Sequence, residues 1–393
     1  MEKKTVRTGI VGAGFAARFH YEALKKIYGV NVEIEGVFDV SQEAAENYGK
    51  ERGIKVYKSL EELIDKVDVV HVCTPPVTHE PVAVAALKQG KFAIVEKPMT
   101  GYFGDGSENF DAKKISMETV LEGALASIER MLKAEKESKG RILYAENWVY
   151  APAIQKEREI IEKSGAQILR MYGEESHSGS HAPTYGLWKF SGGGTLVGKA
   201  CHPLTAALYL KQVEGIARDG KPIRPKAVSG RVHKLTQLPS YQDKGHIRTD
   251  YFDVEDLGLM HVIFEDGMVA DIVASEIVLG GIHNWIEIIA NNHRTMCNIN
   301  PNTAMQSYTP AEKYYKDIYI VEKTETKAGW SNPSPEEDFF TGYPLEMESF
   351  YRAVALGEEP QGNSLLGADT ISAIYSAYVS AERGGAEVEI KIF

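Results

Sequence analysis

The stretch that most constrains this chain is Thr5–Val11 followed by Gly12, Ala13, Gly14, Phe15, Ala16 and Ala17, because it joins an apolar, β-rich run to a helical one through two glycines. Glycine at 12 permits a tight turn, glycine at 14 lets the backbone approach a pyrophosphate, and the small Ala17 lets the helix pack close to the strand. A helix starting there offers unpaired N–H groups and the positive end of its dipole to phosphate. Asp39 ends the next apolar run, where a carboxylate can accept hydrogen bonds from an adenosine ribose, although a helix-capping aspartate is equally at home there. No arginine follows in Val40 and Ser41, so NAD is favoured over NADP.

The first 150 residues keep alternating short apolar runs with helical patterns, the rhythm of parallel strands joined by crossover helices. Val67–Cys73 is a nearly unbroken β-branched run ended by Pro75 and Pro76, and Phe92–Val95 is another, followed by Glu96, Lys97 and Pro98. Both read as central strands buried on two faces. Residues 101–116 lack periodicity and read as a long loop. After Pro152 comes one helix, Ala153–Lys163, then longer strands with two-residue alternation: Val228–Leu235, an Asp-Gly hairpin within Leu259–Glu276, Trp285–Ala290 and Ile318–Thr324. Two helices, Leu345–Leu356 and Ser364–Arg383, close the chain. The expected architecture is an α/β Rossmann-like dinucleotide-binding domain over 1–150, and an α+β domain over 151–393 with a large, open, mostly antiparallel sheet. The second is expected to bind substrate and to oligomerise, with its last helices packing back on the first.

Several classes are excluded. Forty-four Lys plus Arg against fifty-five Asp plus Glu leave a formal charge of −11, a field that repels phosphate backbones and anionic membranes, so nucleic acid is not the expected partner. No uncharged apolar run approaches the roughly 18 residues of a membrane span. Cys73, Cys201 and Cys297 are few and widely spaced, which points to neither a disulfide framework nor a zinc knuckle, and to a reducing cytoplasm.

The segments GIVGAGFAARFHYEAL, GVFDVSQEAAENY, VDVVHVCTPPVTHEPVAVAALKQGKFAIVEKPM and GGGTLVGKACHPLTAALYL together resemble the Gfo/Idh/MocA family of sugar and cyclitol oxidoreductases, over essentially the whole chain. The resemblance implies that Lys97 sits beside nicotinamide and substrate and that His202 accepts the proton. The cofactor residues expected are Gly12, Gly14, Phe15, Ala16, Asp39, Thr74, Pro75, His79, Glu96 and Lys97. Two departures stand out: Gly198 occupies a position, one helical turn before His202, where the family often has an aspartate, and Pro76 stands where an asparagine is common.

The chemistry agrees with the residue types. Oxidising a secondary alcohol requires a neutral imidazole as base and a cation for the developing alkoxide. Read without the family, a core or capping histidine explains His202 as well as a catalytic one, and Lys97 could be a surface lysine. Asn147, Trp148 and Tyr150 leave the last parallel strand and either line the cleft or simply pack. His177 and His181 suit polar substrate contacts or a plain loop better than a metal, and no metal is expected; Lys199 either reaches the pocket or is solvated. The substrate expected is a small carbohydrate, in a site made roomier by Gly198 and the 101–116 loop, so that a substituted sugar fits better than free inositol or glucose. The activity expected is NAD-dependent oxidation of a sugar, cyclitol or glycoside hydroxyl in a homo-oligomer, dimer or tetramer. The alternatives are a tightly bound, recycling NAD that transiently oxidises a glycoside, and a non-catalytic NAD-binding sensor or scaffold.

Overall fold

The computed structural model describes residues 3–107, 110–180, 182–300 and 305–393. Strands β1 (Thr5–Val11), β2 (Asn31–Phe38), β3 (Lys55–Val56), β4 (Val69–Val72), β5 (Phe92–Glu96) and β6 (Ile142–Ala145) form one parallel sheet in the order β3-β2-β1-β4-β5-β6. Helices α1 (Phe15–Leu24), α2 (Gln42–Arg52), α3 (Leu60–Lys66), α4 (His79–Lys88) and α5 (Met117–Lys136) make the crossovers. Local signals set their ends. Ser41, Ser59 and Ser116 accept from backbone N–H groups of the first turns of α2, α3 and α5, and Gly53 ends α2 with φ 66°. The strand order reverses between β1 and β4, opening a crevice at the carboxyl ends of the strands. This is the expected Rossmann-like domain.

The chain then runs through the short α6 (Asn147–Tyr150) and α7 (Pro152–Ser164) to β7 (Ile168–Ser176). It continues by α8 (Trp188–Ser191), a π-helical turn over Leu196–Ala200 and α9 (Cys201–Asp219) to β8 (Pro225–His233), β9 (Leu257–Phe264), β10 (Val269–Ser275), β11 (His283–Ala290) and β12 (Arg294–Asn300). A small hairpin, β13 (Ser307–Thr309) with β14 (Gly329–Ser331), precedes α10 (Glu337–Phe340), α11 (Tyr343–Leu356), α12 (Ser364–Glu382) and the edge strand β15 (Val388–Glu389). The second sheet is seven-stranded, β12-β11-β7-β10-β9-β8-β15, antiparallel except where β7 lies parallel to β10. Gly267, at φ 83°, turns the expected β9–β10 hairpin. Helix α12 is buried along most of its length between α5 of the first layer and β8 of the second.

One expectation needs correction. Ile318–Thr324 alternates as a strand should, yet among the described residues it joins no sheet: Lys323 has φ 61°, which breaks an extended backbone, and the carbonyls of Ile318, Ile320 and Val321 accept from Lys327 Nζ, the Ser334 N–H and Thr324 Oγ1 instead of a neighbouring strand. The helix carrying His202 follows Gly192–Gly194 directly: Thr195 is already helical and the Gly198 N–H donates to the Gly194 carbonyl at 2.9 Å. A wider π turn comes first, and regular α-helix begins at Cys201.

Candidate active site

The glycine turn after β1 fits a dinucleotide for two different reasons at its two glycines. Gly12 has φ 97°, and a Cβ there would stand 2.5 Å from the Cys73 carbonyl oxygen, so no side chain is possible. Gly14 has nothing within 4 Å of its Cβ position and opens onto a cavity. The Asp39 carboxylate braces the turn from the end of β2, accepting from the Ala13 and Ser41 N–H groups, each at 2.8 Å. Thr74, also on the cavity wall, has a buried Oγ1 with no hydrogen-bond partner among the described residues. An open glycine face, a helix N-terminus and an orphaned hydroxyl are what NAD would need here.

The cavity, about 640 Å³, lies between the carboxyl edge of the parallel sheet and the second sheet. It brings together Gly14, Phe15, Ala16, Thr74, Pro75, Glu96, Lys97, Asn147, Trp148, His177, Lys199 and His202, all sequence-expected site residues. Gly12, Asp39, His79 and Tyr150 do not line it. His79 bridges the Thr74 and Pro98 carbonyls, each 2.8 Å away, tying two site loops together. Tyr150 is not brought to the cleft: it is buried against Phe350 and its hydroxyl accepts from the Gly362 N–H. His181 lies outside the described residues. No described residue of the 101–116 loop lines the cavity, contrary to expectation. Tyr102 binds it instead to the Tyr375 hydroxyl and the Trp188 indole.

Lys97 and Glu96 arrive on the loop after β5. Lys97 Nζ donates to the Gly198 carbonyl at 3.1 Å. Burial opposes its charge, but Cys201, Tyr185, Glu175 and Glu96 around it hold the ammonium above its ordinary pKa. Burial likewise works against the Glu96 carboxylate, yet the His20 hydrogen bond and the Lys97 charge leave its pKa below the usual value.

Sequence reasoning missed the partner of His202. Glu146, the residue after β6, lies 2.5 Å from His202 Nδ1 and also accepts from the Trp148 N–H, while the Trp148 ring stacks on the imidazole. Burial pushes His202 down to about 3 and Glu146 up to about 8, so the imidazole is neutral, and above about pH 8 the ionised Glu146 accepts from the ring proton carried on Nδ1. The other ring nitrogen, Nε2, faces Glu175 Oε2 at 3.6 Å. Glu146 directly follows a strand beside the one ending in Glu96, a positional signal that could have found it; Glu175, buried in a strand without any motif, had none.

Lys199 is buried, not solvated, with its ammonium against His177 Nε2 and 3.3 Å from Glu276 Oε1. His177 follows β7 and does not lie on a strand face. An ammonium at its Nε2 opposes a cation there. Among the described residues Glu146, Cys201 and His202 each bring one donor atom within 4.8 Å of the others. Burial pushes the Cys201 thiol up, and a thiol that keeps its proton is a poor metal ligand.

Comparison with known proteins follows the same division. Residues 6–123 match the model of the family described as Gfo/Idh/MocA, oxidoreductase family, NAD-binding Rossmann fold. The glucose-6-phosphate 3-dehydrogenase of Bacillus subtilis is 40% identical over 93 residues, 24% of this chain and 26% of that protein. The chain thus spans about a quarter of the length of the first curated relatives it matches. The levoglucosan dehydrogenase of Pseudarthrobacter phenanthrenivorans is 25% identical over 383 residues, 90% of each chain. Among solved structures, GenD2 from gentamicin A biosynthesis in complex with NAD superposes with a TM-score of 0.79 at 21% identity, covering 99% of this chain and 97% of that one.

Proposed function

Through residues 6–123 this chain belongs to the Gfo/Idh/MocA oxidoreductases with the NAD-binding Rossmann fold, and from that premise we propose that it is an NAD-dependent dehydrogenase oxidising a secondary hydroxyl of a sugar, cyclitol or glycoside. The observation that carries the reading is the convergence of Lys97 and His202, the latter backed by the buried Glu146, on the cavity into which Gly14 opens. Residues 1–150 are taken as the cofactor domain and 151–393 as the substrate and oligomerisation domain.

Gly14, Phe15, Ala16, Thr74, Pro75, Glu96 and Lys97 would hold NAD, with Gly12, Asp39 and His79 shaping the turn and loops behind them. When bound, NAD supplies the acceptor for the hydride that leaves the oxidised carbon. His202 Nε2 takes the hydroxyl proton. A carboxyl pushed up to about 8 beside an imidazole pushed down to about 3 lets the Nδ1 proton shift to Glu146, so no charge is stranded on the buried ring. Lys97, steadied by the Gly198 carbonyl, stabilises the developing alkoxide. Asn147, Trp148, His177 and Lys199 line the substrate end.

NAD is preferred to NADP, because a 2′-phosphate would meet the Asp39 carboxylate with only the exposed Val40 and Ser41 beside it. The chain works as a homo-oligomer in a reducing compartment, the latter supported by three buried free cysteines. No helix among the described residues is long and apolar enough to cross a membrane. Following NADH formation over a panel of free sugars, inositols, sugar phosphates and glycosides tests the activity, and silence across the panel rejects it. Dissociation constants for NAD and NADP test the cofactor, and Asp39→Ala should narrow the gap; equal affinities in the unaltered protein reject the preference.

A further inference from the structure

Three neighbouring strands present oxygen acceptors to the cavity along one row. The sheet register pairs Glu175 of β7 with Asn284 of β11, and Asn284 with Asn300 of β12. Residues paired in this way face the same side of a sheet, and all three line the cavity. Among the described residues each keeps one buried oxygen with no hydrogen-bond partner: Glu175 Oε2, Asn284 Oδ1 and Asn300 Oδ1. Glu175 is 7% exposed and Asn300 3%.

The direction of Asn300 is set by its neighbour. Its Nδ2 donates to Glu337 Oε1, while Glu337 Oε2 accepts from Tyr319. A carboxylate accepting at both oxygens needs the amide nitrogen toward it, which leaves the amide oxygen for the cavity. Buried acceptors in native folds are paired, so a row of unpaired ones on residues that line a cavity marks groups a donor-bearing ligand satisfies once their side chains turn toward it.

Adjacent strands lie about 4.8 Å apart, so the row spans roughly 10 Å, longer than one pyranose ring. It starts beside the base, since Glu175 Oε2 is 3.6 Å from His202 Nε2. A hydroxyl deprotonated at His202 therefore puts its vicinal hydroxyl near Glu175, and the remainder of the molecule extends along Asn284 and Asn300. Ile282, on the same wall, offers an apolar surface to a ring face.

We propose that Asn284 and Asn300 form a second subsite that receives the hydroxyl-bearing unit attached to the oxidised sugar, which makes the substrate class a disaccharide or comparable glycoside. This rests on the dehydrogenase reading above and deepens it. Glu175 is the acceptor shared between the two subsites, filling the part that Gly198 leaves without a side chain.

The test measures binding of D-glucose, myo-inositol, cellobiose, maltose and trehalose to the NAD-loaded protein by calorimetry, with NADH formation followed in parallel. At least one disaccharide should bind about tenfold or more tightly than glucose and inositol, and Asn284→Ala and Asn300→Ala should each weaken it roughly three- to tenfold while leaving glucose within about twofold. Asn284→Asp, which keeps an acceptor, should retain the preference. Equal losses for glucose and disaccharide, or no disaccharide preferred over glucose, overturn the subsite. Disaccharide binding with the expected variant dependence but without NADH keeps the subsite and rejects the dehydrogenase; NADH from glucose or inositol without any disaccharide preference does the reverse.

Discussion

The two sheets contribute to one cavity in unlike ways. The parallel sheet delivers its residues from loops at strand ends: the turn after β1, Thr74 and Pro75 after β4, Lys97 after β5, Asn147 and Trp148 after β6. The mixed sheet delivers Glu175, Asn284 and Asn300 from within or at the ends of strands, and each meets its neighbours through register rather than chain proximity. Chemistry built on loops after parallel strands leaves short motifs in the sequence. Chemistry built across paired strands leaves none, because the partners are scattered and the pairing is decided by the sheet.

This division can be attacked through the reacting groups first. Lys97→Met and His202→Ala should each lower kcat by about 10³-fold while NAD affinity stays within a few fold, His202→Ala being partly relieved at high pH where hydroxide replaces the base. Steady-state kinetics with NAD titrations decide it, and unchanged turnover in either variant removes that residue from the mechanism.

The next test addresses the residue that sequence reasoning missed. A raised pKa at Glu146 means that the pair accepts a proton only above about pH 8, so kcat/KM for oxidation should rise through that pH. Glu146→Gln should cost about 10²-fold in kcat and abolish that acid limb, since His202 alone stays neutral down to about 3. A pH–rate profile with the limb unchanged in the variant assigns it to another group.

The two glycines of the turn separate fold from function within the parallel sheet. Gly12→Ala, with φ 97° and backbone 2.5 Å from its Cβ, should lower Tm by several degrees, a loss of about 3 kcal/mol in a chain of this length. Gly14→Ala meets no atom within 4 Å and sits at φ −88°, so Tm should hold while NAD affinity falls about tenfold. Thermal melts and NAD titrations of the pair read this directly, and equal melting losses in both erase the distinction.

The smallest effect belongs to the mixed side. Gly198 has room, its Cβ position being 3.7 Å from the Tyr185 ring, so Gly198→Asp should fold and shift relative kcat/KM toward small free polyols by a few fold. Competition between myo-inositol and a glycoside measures it. An unaltered protein already favouring free inositol or glucose contradicts the expectation of a roomier site.

By itself the sequence determined the parallel domain, from β-branched runs such as Val69–Val72, the glycine turn and the serine caps, since all of these act over a few residues. It also marked Lys97 and His202 through local motifs. It could not distinguish Ile318–Thr324, which alternates without pairing, from a true strand, because alternation reports a possible face and not the presence of a partner. Nor could it show that Tyr150 turns into the core, that Lys199 is buried, or that Glu146 holds His202 across 56 positions. Those outcomes were decided only by the tertiary structure: burial, which moves the pKa values of Glu146 and His202 apart, and sheet register, which sets Glu175, Asn284 and Asn300 in one row, arise from contacts between residues far apart in the chain.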